Sequence, residues 1–535
     1  MSVYLKINHN DNVAVALENL SKQQVIENDN LKIVLHETIP LKHKFALQTI
    51  NKGASVFMYG VLVGEATEKI EQGGLISLKN TRHKTKKVEG KNATWHWAKP
   101  EINKWKKRNF NGYHRNDGQV GTENIWLFFS LVFCENRNIE SLKRVFEKIF
   151  HPTLPDPLEE LLTNLIFDEK TIPSTNKSQL VKPPFENIKI KFLTHQGGCG
   201  GTREDAQALA ALLAGYVNNP NVAGATVLSL GCQNLEVSLF EEALKKNQTN
   251  KPVLIFDQQT EGTTEQFLEK IIKDSVKEIK KANTIQRQPA PLSKLTIGLE
   301  CGGSDGFSGI TANPTLGLIS DYLVALGGKT ILAEFPELSG VEQELVNRCT
   351  DDSSAKKFLG LMQAYERKAH DVGSGFDMNP SPGNIKDGLI TDAMKSAGAA
   401  KKAGNAPISD VLDYTEYANQ EGVSLLCTPG NDVESTTALA GSGANIILFT
   451  TGLGTPTGNP ITPVVKVGSN SALLNRMPDI IDFDCGSIIS KKQSLETVAE
   501  QLLEQIIAVA SGEMETKATQ LNQNDFIPWK RGVSL

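Results

Sequence analysis

The 535-residue chain contains no uninterrupted apolar run long enough to cross a bilayer, so it does not read as a helical membrane protein. Its first residues, MSVYLKINHNDN, are polar and strand-like and lack a secretory apolar region, which points to a cytoplasmic location. CxxC pairs are missing, which removes the structural zinc ribbon. The seven cysteines, Cys134, Cys199, Cys232, Cys301, Cys349, Cys427 and Cys485, are widely spaced and odd in number, which argues against a disulfide framework. GxxxxGK[ST] and HExxH are absent, and the glycine-rich TTGLGTPTG (450–458) lacks the dinucleotide-binding spacing. A net charge of −5 gives no reason to expect nucleic acid or an anionic membrane as partner.

What is present is ordinary in bulk, with 39% hydrophobic and 22% charged residues. At roughly 100–200 residues per domain, the length calls for several domains. Residues 1–83 show short strands separated by glycine and polar turns, which predicts a small all-β module. Residues 84–108 are lysine-dominated, interrupted by Trp95, Trp97 and Trp105, and read as a linker lying over the surface. From 109 to 287 strands alternate with helices: IKIKFLTH, ATVLSLGC and PVLIFDQQ are strands, and TREDAQALAALLAGYV (202–217) is a helix capped by Thr202. A second α/β series fills 288–535, so two α/β domains with mainly parallel sheets are predicted. The polar stretch 365–420 reads as a loop-rich insertion.

Ligands of open α/β sheets bind beyond the carboxyl ends of the strands. Cys199, Cys232 and Cys301 each follow such a strand, and His195 shares the strand end with Cys199. Two of these cysteines sit in glycine-rich turns, where backbone approaches a ligand closely. These four residues are the candidate metal ligands; soft thiolates suit iron, zinc or an iron–sulfur cluster. The remaining cysteines, including Cys134, read as structural. Carboxylates and amides gather in Pro/Gly turns, at Asp305, Glu334, Glu337, Asn384, Asn431 and Asp432. Such groups suit a polyhydroxy compound, which needs several fixed donors and acceptors. Lys395 and Lys466 are candidates for pairing with a substrate carboxylate or moving a proton.

GLECGGSDGFSGITANPTLG (298–317), NPSPGN (379–384), PGNDVESTTALAGSGANIILFTTGLGTPTGNPITPVVKVGSNS and IDFDCG closely resemble the altronate dehydratase family, which also contains galactarate dehydratase. The N-terminal segment resembles that family's small β-clip (SAF) module, and GYHRNDGQVGTENIW with GGCGG and LGCQN resembles its central domain. The resemblance covers nearly the whole chain. It implies a hydro-lyase of hexuronate catabolism that converts a sugar acid, with altronate the best match, to a 2-keto-3-deoxy acid. It also implies dependence on Fe2+, with Mn2+ as a substitute and an iron–sulfur cluster as the alternative. A galactarate or sulfolactate type of elimination, or a non-catalytic sugar-acid-binding homologue, are the other readings. The implied partner is a small sugar acid, with no nucleic acid and no membrane; a homo-oligomer is left open. On this resemblance Glu334, Lys395 and Lys466 are the acid–base candidates, and Asp305, Asn384, Asn431 and Asp432 the substrate-binding ones.

Two departures stand out. The family carries His-x-His-Asn near the end of the β module, where this chain has LISLKN (75–80) and keeps only Asn80; His83 is the candidate replacement. After NPSPGN the chain keeps Lys395 and Ser396 but has Met394 where the family has an acid.

Overall fold

The computed structural model describes residues 3–28, 31–150, 157–166 and 185–532. The N-terminal module is all β. Tyr4–Leu5, Val13–Ala16 and Lys44–Ala46 form one antiparallel sheet, and Ser55–Met58, Val61–Ala66 and Thr81–Arg82 form another. The module does not stand apart. Val13, Met58 and Val63 belong to the same buried cluster as Leu299, Leu316 and Phe335 of the C-terminal region. The lysine-rich segment then runs over that region. Trp105 is buried, the Trp95 indole donates to the Asn405 carbonyl at 2.7 Å, and Lys104 pairs with Glu500.

The first parallel sheet contains β1 (Ile125–Ser130), β2 (Lys189–Phe192), β3 (Val222–Ser229) and β4 (Val253–Asp257), in spatial order β2-β1-β3-β4. Helix α1 (Arg203–Asn218) follows β2. Thr202 caps it by accepting from the Asp205 N–H, and Glu204 and Asp205 face its positive end. The second sheet contains β5 (Thr296–Cys301), β6 (Lys329–Leu332), β7 (Ile408–Leu412), β8 (Gly422–Leu426), β9 (Ile446–Thr451), β10 (Val464–Gly468) and β11 (Phe483–Asp484). Their order is β7-β8-β6-β5-β9-β10-β11, and every pairing in both sheets is parallel. β5 and β9 are neighbours, yet the chain leaves β5 toward β6 on one side and leaves β9 toward β10 on the other. A topological switch point therefore lies beyond the end of β5, where such sheets open a crevice for ligands.

Stretch 365–420 is not the loop-rich insertion that its polarity suggests. It continues a helix from Asp352 to Asp371, then holds Pro382–Lys386, α2 (Asp392–Ala399) and β7. Each helix has its own side-chain cap, from Asp351, Ser381 and Thr391. The helices Pro382–Lys386 and α2 carry too few turns to show an apolar period. Helix α3 (Asp432–Gly441) follows β8 and packs on α1. A side chain at Gly215 would meet the Gly441 carbonyl at 2.1 Å, so this crossing requires a glycine. Asn219 and Asn221 tie the two sheets together from a buried turn, donating to the carbonyls of Ala440, Ala444, Asn445 and Ile461. Among the described residues, no helix is long and apolar enough to cross a membrane.

Candidate active site

Cys301 is the last residue of β5 and is buried at the switch point. Gly302 follows because nothing larger fits: a Cβ there would lie 2.1 Å from Asp432 Oδ2 and 2.6 Å from the Phe449 ring. Glu334, two residues beyond β6, holds a left-handed backbone (φ 70°, ψ 64°), uncommon for a residue with a side chain. Its N–H donates to Thr428 Oγ1 at 2.8 Å. This turn brings the carboxylate over Cys301, where Oε2 accepts from the Cys301 N–H at 3.2 Å and from its thiol at 3.4 Å. The thiol also reaches Glu337 Oε2 at 3.2 Å. Strain of this kind costs on the order of 1–3 kcal/mol and persists where the surroundings enforce it.

Two lysines answer the carboxylates. Lys402 Nζ lies 2.8 Å from Cys301 Sγ and 3.0 Å from Glu334 Oε2. Lys395 Nζ pairs with Glu337 Oε1 at 2.5 Å and donates to Asn379 Oδ1 at 2.9 Å. Lys395 lies in α2 and Lys402 in the 3-10 turn that continues it, seven residues on, so both project from one face. On the other side, Glu300 accepts from the Ser435 hydroxyl. Ligand atoms of Cys301, Glu334 and Glu337 lie within 4.8 Å of one another, and so do those of Glu300, Glu334 and Asp432. Glu334 is common to both groups.

Burial, with Glu334 and Glu337 adding to it, pushes the Cys301 thiol well above its usual range. Burial and the repulsion of Glu334 also hold Glu300 well above the carboxylate range. Burial and Glu337 raise Glu334 against the pull of Lys402 and Lys395. Asp432 is pushed up to about 7 by burial, then by Glu334 and Glu337. Glu337 goes the other way: burial opposes its charge, but Lys395 and Lys402 outweigh burial. Both lysines stay charged despite burial, because Cys301 and the glutamates surround them. Groups of one kind are thus driven apart in proton affinity, the arrangement that acid–base chemistry needs.

The other sequence candidates have partners of their own. Asp305 is wholly buried and accepts from the N–H groups of Phe307 and Ser308, from Ser469 Oγ at 2.8 Å, from Asn470 and from Lys42 Nζ at 2.8 Å. Its carboxylate is committed to joining the β module to the C-terminal domain. Asn384 completes a capping box with Ser381 and donates to the Ser304 carbonyl at 2.7 Å. Asn431 caps α3. Lys466, which burial lowers to about 8, donates to Gln523 Oε1 at 3.0 Å and neighbours Asp482 and Asp525, not Cys301.

Among the described residues, Cys199, Cys232 and His195 do not group with Cys301 within 4.8 Å; Cys199 and Cys232 follow strands of the first sheet and Cys301 ends a strand of the second. His195 spends both ring nitrogens inside the protein: Nδ1 accepts from the Gly197 N–H at 3.1 Å and Nε2 donates to the Ser130 carbonyl at 2.7 Å. In the β module, Asn80 is folded into its own turn, bonding Ser77 and Leu75. His83 reaches the start of α2, where Nδ1 accepts from the Ala393 N–H at 3.4 Å. Sequence reasoning did not single out Lys402 or Glu300. The seven-residue spacing from Lys395 is the signal that points to Lys402.

A doubly wound α/β domain with a buried thiol, four carboxylates and two ammonium groups at its switch point has the build of an enzyme that moves protons. Three sequence models match along the chain: an altronate/galactarate dehydratase SAF domain at 2–84, a D-galactarate dehydratase/altronate hydrolase second domain at 112–283, and a D-galactarate/altronate dehydratase C-terminal domain at 292–534. The altronate dehydratase of Bacillus subtilis (strain 168) is 33% identical over all of both chains. That of Escherichia coli (strain K12) is 33% identical over 99% of this chain and all of its own. The galactarate dehydratase (L-threo-forming) of the same strain is 28% identical over 97% and 94%. The chain belongs to the altronate/galactarate dehydratase family.

Proposed function

We propose that this hydro-lyase, whose substrate is a sugar acid, acts on D-altronate in the cytoplasm and forms 2-dehydro-3-deoxy-D-gluconate and water. Full-length similarity to two altronate dehydratases favours this acid over galactarate. The observation that carries the chemistry is the Cys301–Glu334–Glu337–Lys402 cluster, with Lys395 and Asp432 toward its more open side.

Dehydration removes the C2 proton and the C3 hydroxyl, leaving an enol that tautomerises to the 2-keto acid. Asp432, poised near neutrality and partly exposed, takes the C2 proton. Lys395, charged and 10% exposed, supplies the proton that lets the C3 hydroxyl leave as water. Lys402 stays buried and keeps the Cys301 and Glu334 pair in register.

The donor set suits a divalent cation. Four carboxylates face two ammonium groups, and Glu300 Oε1 and Glu334 Oε1 are buried without a hydrogen-bond partner. Ferrous iron, with manganous ion as a substitute, fits a mixed thiolate and carboxylate set, and Cys301, Glu334 and Glu337 would hold it. Such an ion supplies electrostatic stabilisation of the charge that develops on the substrate's carboxylate side.

The test is keto acid formation from D-altronate, galactarate and other aldonates by anaerobically prepared protein with ferrous iron. Turnover confined largely to altronate supports the assignment. Turnover of galactarate instead moves the substrate within the family. Binding of acids without product from any of them defeats the catalytic reading.

A further inference from the structure

Two lysines stand side by side in the turn after α2, and they go opposite ways. Lys401 is 35% exposed and lies 3.9 Å from Glu344, whereas Lys402 is 1% exposed and enters the Cys301–Glu334 cluster. Residues Ala400–Ala403 form a 3-10 turn. With three residues per turn, a slip of one residue rotates every side chain by about 120°. Such a slip would turn Lys402 away from Cys301.

A buried clamp fixes the register. Arg348, at the end of the helix Glu342–Arg348, is 1% exposed. Its Nη2 donates to the carbonyls of Ala403 at 3.0 Å and Ala406 at 2.8 Å, and its Nε donates to Ala406 at 3.2 Å. Asp321, in the helix Ala312–Ala325, is 4% exposed and holds the same turn by its N–H groups. Its Oδ1 accepts from Asn405 at 2.9 Å and from Ala406 at 2.8 Å. Ala406 is therefore gripped on both its carbonyl and its N–H. Burial opposes both charges, and each favours the other across the turn. Gly404, at φ 59°, lets the turn pack this closely: a Cβ there would stand 2.4 Å from the Gly317 carbonyl oxygen and 2.7 Å from the Asp321 carboxyl carbon. From outside, the Trp95 indole holds the Asn405 carbonyl.

The guanidinium is held for its geometry. Among the described residues Arg348 forms no ion pair, and its Nη1 is buried without a hydrogen-bond partner. Burying a charge in this way is costly. Its planar fork, however, reaches two carbonyls from one fixed direction, which an ammonium does not.

We propose that Arg348 and Asp321 are positioning residues of the dehydratase, setting the 400–406 turn so that Lys402, and not Lys401, enters the Cys301–Glu334 cluster. The proposal rests on that cluster being the reacting site. Arg348 and Lys402 share no hydrogen bond among the described residues, so the turn carries the influence of one to the other.

Steady-state kinetics of iron-loaded full-length protein, with the best sugar acid of the wild type, test it. Misplacement of a catalytic group by about 1 Å costs on the order of 10²-fold. Arg348→Met therefore lowers kcat at least tenfold and leaves KM within about threefold, because the buried Lys402 touches no substrate. Arg348→Lys, which keeps the charge and reaches one carbonyl, lowers kcat at least threefold and carries the test if Arg348→Met does not fold. Asp321→Ala behaves like Arg348→Met, while Asp321→Asn, which keeps an oxygen for both N–H groups, stays within about threefold of wild type. Urea denaturation gives a readout without turnover: Arg348→Lys combined with Lys402→Met loses less unfolding free energy than the two single losses added, because a loosened turn has already weakened the Lys402 contacts. Wild-type kcat in folded Arg348→Met or in Arg348→Lys, a rise in KM alone, equal damage in Asp321→Asn and Asp321→Ala, or additive losses in urea overturns the proposal. Wild-type protein inactive on every acid defeats the catalytic reading instead, and the urea cycle still decides whether the clamp holds Lys402.

Discussion

Lys402 Nζ sits 2.8 Å from Cys301 Sγ, at a position only 1% exposed, and the same ammonium pairs with Glu334 at 3.0 Å. A buried cation is tolerated when its partners surround it, and removing one partner leaves the others uncompensated. Lys402→Met therefore lowers unfolding free energy by about 3–5 kcal/mol, measured by urea denaturation. Lys402→Met combined with Glu334→Gln recovers more than half of that loss, because both charges leave together. Additive losses would show that the pair does not act as a unit.

Lys395 has a different expected signature. Lys395→Met removes a side chain at the more open side of the cluster and, as the proton donor, costs roughly 10²–10⁴ in kcat. Iron content, read by metal analysis, stays near the wild-type level, since Cys301, Glu334 and Glu337 remain. Cys301→Ser gives the opposite pattern at this site, with iron falling together with turnover.

Lys42 joins the β module to the C-terminal domain through Asp305 at 2.8 Å and Asp387 at 3.0 Å. Lys42→Met leaves the wholly buried Asp305 carboxylate without its cation and costs about 3 kcal/mol, the low end for a broken buried pair because Lys42 is 13% exposed. The docking should loosen first, so limited proteolysis within 84–108 accelerates in the variant. Unchanged cleavage rates would mean that the shared apolar cluster and the remaining polar contacts, such as Lys44 to the Gly388 carbonyl and Thr391 to the Val63 carbonyl, hold the module without Lys42.

These contacts show where the sequence is legible. Strand–helix alternation and the cap at Thr202 are local signals, and the two parallel sheets and α1 follow from them. Family motifs identify the region around Cys301 because its glycines are needed there by close approach. The grouping of cysteines was not legible: a strand end looks the same whichever sheet the strand joins. Asp305, Asn384 and Asn431 have the residue types of a binding site, and tertiary structure also gives them the work of a clasp and of caps. Lys402 lies in AGAAKKAG, which has the composition of a surface helix, and only tertiary packing buries it.

Lys44 gives a pH dependence. It is fully buried, donates to the Gly388 carbonyl at 2.5 Å, and is lowered to about 7 by burial, with Asp305 opposing and Lys42 assisting. The unfolded lysine titrates near 10.5. Between those values the unfolded chain binds the proton and the folded chain does not, so stability rises with pH across that window. The slope contributed is at most about 1.4 kcal/mol per pH unit. Below about 7 both states are charged and the contribution is flat. Comparing wild type with Lys44→Met by denaturation from pH 6.5 to 9.5 isolates it, since the variant lacks this slope.

Gly302 tests how the site is held. A Cβ there would collide with the Asp432 carboxylate and the Phe449 ring, and Phe449 is fixed in β9. Asp432 is the partner able to yield. Gly302→Ala should therefore displace the proposed base, reducing kcat at least tenfold, while overpacking costs about 1–3 kcal/mol. Adding Asp432→Ser opens room for the methyl group, so the double variant is more stable than Gly302→Ala alone though still inactive. If Gly302→Ala keeps full turnover, Asp432 is not the group that takes the C2 proton.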